Sequence, residues 1–189
     1  MRKEMRESRK TQYTRKALED GLIELMKSKP FEKITVTELC GHTDINRSTF
    51  YMHYEDIYEL LCSIEEDVLA WQRQVVDDLG GKRNEGRGAL LQSMEQLFAY
   101  FVENSKCLQV LMSERGDIFF QQRFFEAAYR MYNFSGVHNP KKALAEDPRF
   151  IFVVNGGVGL TQYWLKNGLK ESPREIAEII YDMARPIIR

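Results

Sequence analysis

The stretch between residues 35 and 54 constrains the fold more than any other part of the chain, because it holds two helix-start signals in close succession. Thr35 stands three residues before Glu38, which is the capping-box spacing and predicts a helix over residues 36–42. Asn46 is a favoured N-cap and predicts a second short helix running to about residue 54. Helices this short are unstable in isolation. The stretch therefore predicts a pair of short helices that depends on a larger helical body.

A tight turn at residues 43–45 joins the two short helices. Asp44 suits this turn because aspartate accepts a left-handed backbone better than most residues do. Ile45 and Phe50 are expected to be the apolar anchors, which leaves polar residues of the second helix facing outward. Such a pair is either a packing motif or a helix-turn-helix that contacts DNA.

The rest of the chain has the periodicity of amphipathic helices and lacks a long run of alternating β-branched residues. Pro148 and Pro173 stand where helices begin best, and Gly168 stands where one ends best. Residues 80–88 are rich in glycine and predict a flexible break. The predicted fold is all-α, with further helices over residues 11–28, 55–79, 89–103, 107–113, 118–134, 148–167 and 173–188.

Composition and charge narrow the class of protein. No apolar run approaches about 20 residues and no apolar leader follows the charged N-terminus, so we expect a cytoplasmic protein without a membrane span. Three widely spaced cysteines, Cys40, Cys62 and Cys107, fit reduced thiols better than a disulfide framework. A net charge of -1 argues against a purely electrostatic binder of nucleic acid, although residues 1–16 are strongly basic.

Three features favour DNA contact over simple packing for the two short helices. The outward face of the second helix carries hydrogen-bond donors, namely Arg47, Ser48, Tyr51 and His53. The capped helix starts have free N–H groups that can hold phosphates. A basic arm, residues 1–10, precedes the first helix and is placed to reach an adjacent groove or backbone. The sequence therefore predicts a helix-turn-helix reader of DNA.

The run ITVTELCGHTDINRSTFYMHY, residues 34–54, resembles the DNA-binding domain of the TetR/AcrR family of bacterial regulators, over about residues 11–65. The resemblance implies a ligand-responsive regulator, in most cases a repressor, that binds a palindromic operator as a homodimer. It also implies an N-terminal three-helix DNA-binding domain with the basic arm, residues 1–54, and a C-terminal helical domain for ligand binding and dimerisation, residues 55–189.

The resemblance also implies roles for individual residues of the short helices. Thr37, Thr49, Tyr51 and His53 match positions that contact phosphates, and Arg47 matches a position that reads base edges, where it could pair with a guanine. Asn46, which opens the second helix, and Ser48, which replaces a frequent glycine, complete the predicted DNA-binding set.

Two departures from the family pattern weaken the expectation of DNA binding. Asp44 replaces a glycine of the turn, and Ile57 replaces a frequent lysine at the start of the fourth helix. Without that lysine, the resemblance no longer implies the usual contact of this helix with the DNA backbone. These departures leave an alternative open, in which the chain is a coactivator of the same fold that acts through a partner protein.

Aromatic residues are concentrated between positions 98 and 164, and most of them are expected to form the core. A body of this composition can also enclose an apolar cavity with a few polar tips. By resemblance, an unknown small-molecule effector would bind between the fourth and eighth helices. The candidate lining residues are Trp71, Phe98, Phe101, Met112, Phe124, Ala128 and Tyr129.

The last two helices contain a candidate interface. Gly156 and Gly159 cost about 1 kcal/mol each in a helix and would let another backbone approach closely. The residues alone fit packing within the chain as well as dimerisation, and the resemblance favours a homodimer. Residues 156–173 also resemble a branch of the family that includes dihydroxyacetone-kinase regulators. The predicted interface is Phe152, Gly156, Gly159, Leu160, Tyr163, Ile176, Ile180 and Met183.

An enzyme is the other class of protein to consider. Cys40, His42 and His53 lack the spacing of a metal site, and Cys40 falls on the predicted buried face of its helix. The sequence shows no glycine-rich phosphate loop, paired-carboxylate motif or nucleophile elbow. We therefore expect no catalytic residue, no cofactor and no metal.

Overall fold

The computed structural model describes residues 9–82, 86–113, 115–133 and 148–185, without the side chains at 76, 79–82, 125, 127–133, 149, 150 and 154. These residues form an all-α fold, as the sequence predicts, with one short 3-10 helix at Phe31–Lys33. The α-helices are α1 (Arg9–Met26), α2 (Val36–Thr43), α3 (Arg47–Tyr51), α4 (Ile57–Lys82), α5 (Arg87–Glu103), α6 (Ser105–Leu111), α7 (Ile118–Asn133), α8 (Pro148–Lys166) and α9 (Pro173–Ala184).

Helices α1, α2 and α3 pack around a small apolar core. Leu18, Leu22 and Met26 recur at helical spacing on α1 and are fully buried, and Leu39 of α2 and Phe50 of α3 meet them there. Gly21 permits a close approach of α1 to α2, because a Cβ at this position would lie 2.3 Å from the Cγ2 atom of Thr43. The two short helices thus derive their stability from α1 and α4, as short helices must.

The long helix α4 connects this unit to the rest of the molecule. Its buried face begins at Ile57 and continues through Leu60, Leu61, Ile64 and Val68. The same hydrophobic cluster extends from α1–α3 into the body without interruption. The division at residues 54 and 55 therefore remains a proposal about function rather than a break in the core.

The body is built on the contact of α5 with α9 and on the contact of α4 with α7. Its centre is aromatic, since Phe98 packs edge-on against both Phe101 and Trp164, and Phe101 packs against Phe124. Trp164 is buried and donates from Nε1 to the Glu171 carbonyl at 3.0 Å. A partner for the indole N–H is what a buried tryptophan requires.

Most helix limits agree with the sequence. Helices α8 and α9 begin at Pro148 and Pro173, and Gly168 adopts a φ of 87° just after α8. Two predictions were wrong. Helix α3 ends at Tyr51, three residues early, and α4 continues through both glycines of the predicted break to Lys82. Glycine has a low helix propensity, but tertiary packing and the helical residues before it can extend α4 through both glycines.

None of the described helices combines the length and apolar character that are needed to cross a membrane.

Candidate nucleic-acid interface

Both short helices begin with the caps that the sequence predicts. The Thr35 hydroxyl accepts a hydrogen bond from the Glu38 N–H at 3.2 Å, and the Asn46 Oδ1 accepts one from the Ser48 N–H at 2.9 Å. These bonds satisfy donors that a helix start would otherwise leave unpaired. The Glu38 carboxylate forms an ion pair with Lys29, which holds the pKa of Glu38 below its usual range.

The turn between α2 and α3 has the backbone that was expected of Asp44. This residue has φ 54° and ψ 35°, in the left-handed region, and its N–H donates to the Cys40 carbonyl. Thr43 donates from its hydroxyl to the Leu39 carbonyl at 2.9 Å, which closes the end of α2. Ile45 is half-buried against the core and anchors the turn. The helix-turn-helix geometry therefore follows from local hydrogen bonds and one apolar plug.

Helix α3 exposes most of the residues that were predicted to touch DNA. Asn46, Arg47, Ser48 and Tyr51 are exposed, as is Thr37 in the first turn of α2, whereas Thr49 and His53 are half-buried. Tyr51 rests edge-on against Phe50, with 5.4 Å between ring centroids. This contact holds the phenol at the surface on a rigid base, which suits a group that positions a backbone phosphate.

Two residues of this face differ from the expectation. Ser48 donates from Oγ to Asn46 Oδ1 at 3.0 Å, so its hydroxyl proton is already used and its oxygen can act only as an acceptor. Met52 is 80% exposed directly after α3, although the sequence reading did not include it. Its position could have been inferred from the helical spacing of Ser48 and Met52, which places both on one side.

Arg15 of α1 connects the segment that follows α3 to α4, a role that the sequence did not indicate. Its Nε donates to the Tyr54 hydroxyl at 3.2 Å, and its Nη2 donates to Ser63 Oγ of α4 at 3.3 Å. Tyr54 is itself buried. Arg15 therefore fixes the end of the helix-turn-helix against α1 and α4, and is not a free member of the basic N-terminal segment. Residues 1–8 of that segment lie outside the described residues.

Cys40 lies in the core of this unit, and its burial raises the pKa of the thiol. A neutral buried thiol is a poor nucleophile and a poor metal ligand. In the part of the chain that the structure describes, no three His, Cys, Asp or Glu residues are grouped to hold a metal ion.

The aromatic residues predicted to line an effector pocket form core in the described structure. Phe98, Phe101, Met112 and Phe124 are buried, and Trp71 is half-buried, stacked on Tyr100 with centroids 3.5 Å apart. The side chains of Ala128 and Tyr129 lie outside the described residues. A cavity of about 540 Å³ lies elsewhere, between α1 and helices α4–α6. An effector site among these aromatic residues therefore stays a prediction.

The predicted dimer surface divides into exposed and buried residues. Phe152, Tyr163 and Met183 are 75%, 62% and 68% exposed, and Gly156 and Gly159 are also exposed. Leu160 is half-buried, and Ile176 and Ile180 are buried within the chain. These two isoleucines face the core because α9 packs closely on α5, so they are withdrawn from the proposed interface.

Comparisons with known proteins agree with this geometry. Residues 89–186, more than half of the chain, match a TetR family model described as the C-terminal region of a transcriptional regulator. No curated protein matches the chain.

Two solved structures share the fold, both with a TM-score of 0.58. One is a TetR transcriptional regulator from Streptococcus agalactiae 2603V, 21% identical, which aligns over 93% of this chain and 95% of its own. The other is the dihydroxyacetone kinase operon activator DhaS, 19% identical, which aligns over 93% of this chain and 96% of its own. The fold, the helix-turn-helix and the match over the C-terminal half show that the chain belongs to the TetR family of transcriptional regulators.

Proposed function

We propose that the protein controls transcription by binding a palindromic DNA operator as a homodimer, with α3 in the major groove. The observation that carries this proposal is the outward face of α3, where Arg47, Ser48 and Tyr51 are exposed on a helix held by caps and by Phe50. No acidic residue occurs between Arg47 and Tyr54. A rigid, donor-bearing helix of this kind is what direct readout of a major groove requires.

The proposed contacts divide by reach and chemistry. Arg47 is exposed at the first position of α3, where a guanidinium can bond to the O6 and N7 atoms of a guanine. Ser48 adds an acceptor beside it, and Asn46 keeps both in place through its cap. Thr37, Thr49, Tyr51 and His53 would hold the phosphates on either side, which fixes the register of Arg47.

Homodimerisation is supported by the free surface of α8. Within the described residues, no atom lies within 4 Å of a Cβ built at Gly156 or Gly159, so packing inside the chain gives no reason for these glycines. Phe152 and Tyr163 are exposed on the same helix. An apolar face with glycines at its centre fits close contact with a second copy, which would place two α3 helices for the two halves of a palindrome.

We further propose that a small-molecule effector changes the DNA affinity by favouring one separation of the two α3 helices. DhaS, one of the similar structures, is named as an operon activator, so both repression and activation are compatible with this fold. Repression remains our proposal for this chain.

The decisive experiment is a map of DNA protection on the promoter of the protein's own operon, followed by titration of the site found. We expect a palindrome with half-sites about one helical turn, ~34 Å, apart, and binding that weakens steeply with salt. Arg47→Ala should cost about 1–3 kcal/mol, concentrated at one base pair of each half-site. Arg73→Ala, a matched loss of an exposed arginine on α4, should leave the affinity unchanged.

Two results would change the conclusion. If Arg47→Ala weakens binding equally at every sequence, Arg47 is a phosphate contact and not a base reader. If no palindrome is protected at low salt, the proposal of direct DNA binding fails and a role through a partner protein replaces it.

A further inference from the structure

A cleft of about 540 Å³ separates α1 from the body. Residues 16, 19, 20, 23 and 24 of α1, with Lys27 just after it, form one wall, and parts of α4, α5 and α6 form the other. This volume lies within the range of small-molecule sites, about 300–1,000 Å³. The cleft is distinct from the aromatic cluster of the body, since Phe98, Phe101 and Phe124 do not line it.

The lining of the cleft combines a buried apolar floor with a carboxylate that has no partner among the described residues. Ile23, Ile64 and Val68 are buried there. Glu19 is half-buried beside them, and it makes no hydrogen bond or ion pair with any of the described residues. Burial raises the pKa of Glu19, and the neighbouring Asp67 carboxylate raises it further against the opposing effect of Lys16 and Arg15. A carboxylate in this setting is costly unless a cation joins it.

Two of the three lysines that line the cleft are paired with other carboxylates. Lys16 pairs with Asp20 at 3.0 Å, and Lys27 pairs with Glu24 at 2.5 Å. Lys106, the third, is exposed and also lines the cleft. Lys16 lowers the pKa of Glu19, but burial outweighs this effect. The Cys107 thiol also borders the cleft, and burial raises its pKa to about 12, so it adds no charge. The lining carries five carboxylates, on Glu19, Asp20, Glu24, Asp67 and Glu103, against three lysines, so the cleft favours a positively charged occupant.

We infer that this cleft binds a small organic cation, an ammonium group on a short apolar body, with the ammonium between Glu19 and Asp67 and the body on the floor formed by Ile23, Ile64 and Val68. Apolar contact and charge pairing together select this class over a neutral alcohol, which lacks the charge, and over a carboxylate, which Glu19 repels. A bare metal ion would gain nothing from the apolar floor.

The position of the cleft gives its occupant a mechanical effect. Helix α1 contacts both α4 and α6, and it carries the core on which α2 and α3 rest. A ligand between α1 and α6 would stabilise one separation of these helices and disfavour others. The orientation of α3 relative to the body would change with it. This consequence rests on the proposed function, whereas the binding site does not.

Calorimetry on the full chain with hexylammonium, hexanol and hexanoate tests the site directly. We expect saturable binding of hexylammonium, and binding at least about tenfold weaker for hexanol and hexanoate. Glu19→Gln should weaken the binding of hexylammonium by about tenfold or more, since the substitution removes the negative charge and keeps the shape of the side chain. Glu178→Gln, the same change on α9 outside the cleft, should leave binding within about twofold.

A second measurement separates a ligand-binding role of Glu19 from a structural one. Without ligand, Glu19→Gln should melt at a higher temperature than the parent chain, because a carboxylate with a raised pKa opposes folding when ionised. A lower melting temperature would show that Glu19 stabilises the fold, and would overturn the assignment.

Any one of three results would refute the proposed cation site. They are equal binding of hexylammonium and hexanoate, an unchanged hexylammonium affinity in Glu19→Gln, and no binding of hexylammonium. Operator titrations with and without hexylammonium then test separately whether the ligand changes the affinity for DNA. If hexylammonium binds at the cleft but the operator affinity is unchanged, the regulatory role is refuted and the site stands. Failure of the chain to bind any operator refutes the proposed function and leaves the calorimetric result intact.

Discussion

Replacement of Glu65 by glutamine tests a buried carboxylate of the described fold whose hydrogen bonding is incomplete. Glu65 lies on α4, is fully buried, and accepts a hydrogen bond at Oε2 from Arg123 Nη2 of α7 at 3.0 Å. Its Oε1 has no hydrogen-bond partner among the described residues. Burial, and after it the nearby Asp117 carboxylate, raise the pKa of Glu65 to about 7 in spite of Arg123. The ionised form therefore opposes folding.

The size of the effect follows from the two pKa values. The pKa is 4.5 in an ordinary setting and about 7 in the fold. Since one pH unit corresponds to about 1.4 kcal/mol, ionisation of Glu65 costs the folded protein about 3 kcal/mol relative to the unfolded chain. The contribution of protonated Glu65 to the free energy of unfolding is fully present below pH 4.5. It declines as the pH rises and is lost above about pH 7.

Glutamine keeps the shape of Glu65 and cannot ionise. Glu65→Gln should therefore raise the free energy of unfolding by about 3 kcal/mol at pH 8 and by less than about 1 kcal/mol at pH 5. Urea unfolding followed by circular dichroism, at fixed protein concentration between pH 5 and 8, measures this difference.

The control is Glu66→Gln, the adjacent residue on α4, which is exposed and lies 3.6 Å from Arg73. It should change the stability by less than about 0.5 kcal/mol at every pH. A Glu65→Gln effect of the same size at pH 5 and pH 8, or a loss of stability at pH 8, would refute the reasoning. Either result would mean that Arg123 compensates the buried carboxylate fully.

Three further predictions concern the reader and the dimer. Gly21→Ala should lower the free energy of unfolding by about 1–3 kcal/mol, because the new Cβ clashes with α2. Gly41→Ala, whose Cβ meets no described atom, should cost nothing. Equal effects of the two substitutions would contradict the close approach of α1 to α2. Asn46→Ala should cost about 1 kcal/mol and weaken operator binding more than Thr35→Ala does, because the Asn46 cap also holds Ser48. Gly159→Leu should dissociate the homodimer in analytical ultracentrifugation while the circular dichroism stays helical, and a retained dimer would place the interface elsewhere.

The local features of the helix-turn-helix could be predicted because their causes lie within a few residues of one another. The Thr35 cap, the Asn46 cap and the left-handed Asp44 each depend on hydrogen bonds over four residues or fewer. The starts of α8 and α9 at their prolines have the same local origin.

Predictions failed where the result depends on a distant helix. Helical periodicity puts Ile176 and Ile180 on one face of α9, but only the contact with α5 makes that face the buried one and leaves Met183 to solvent. The prediction of an effector pocket is a different case, because it stays untested. The aromatic residues of the body could line a pocket or fill a core, and the periodicity of the sequence is the same in both cases.

The sequence alone determined the helical class, the family and the local geometry of the reader, since capping, turn chemistry and apolar period are properties of neighbouring residues. The tertiary structure alone decided which polar groups lose their water. Three examples depend on residues far apart in the chain. The Oε1 atom of Glu65 has no hydrogen-bond partner among the described residues, Glu19 lines the cleft, and Arg15 is bound to Tyr54 and Ser63. Desolvation depends on everything packed around a group, so it cannot be read from the group's neighbours in sequence.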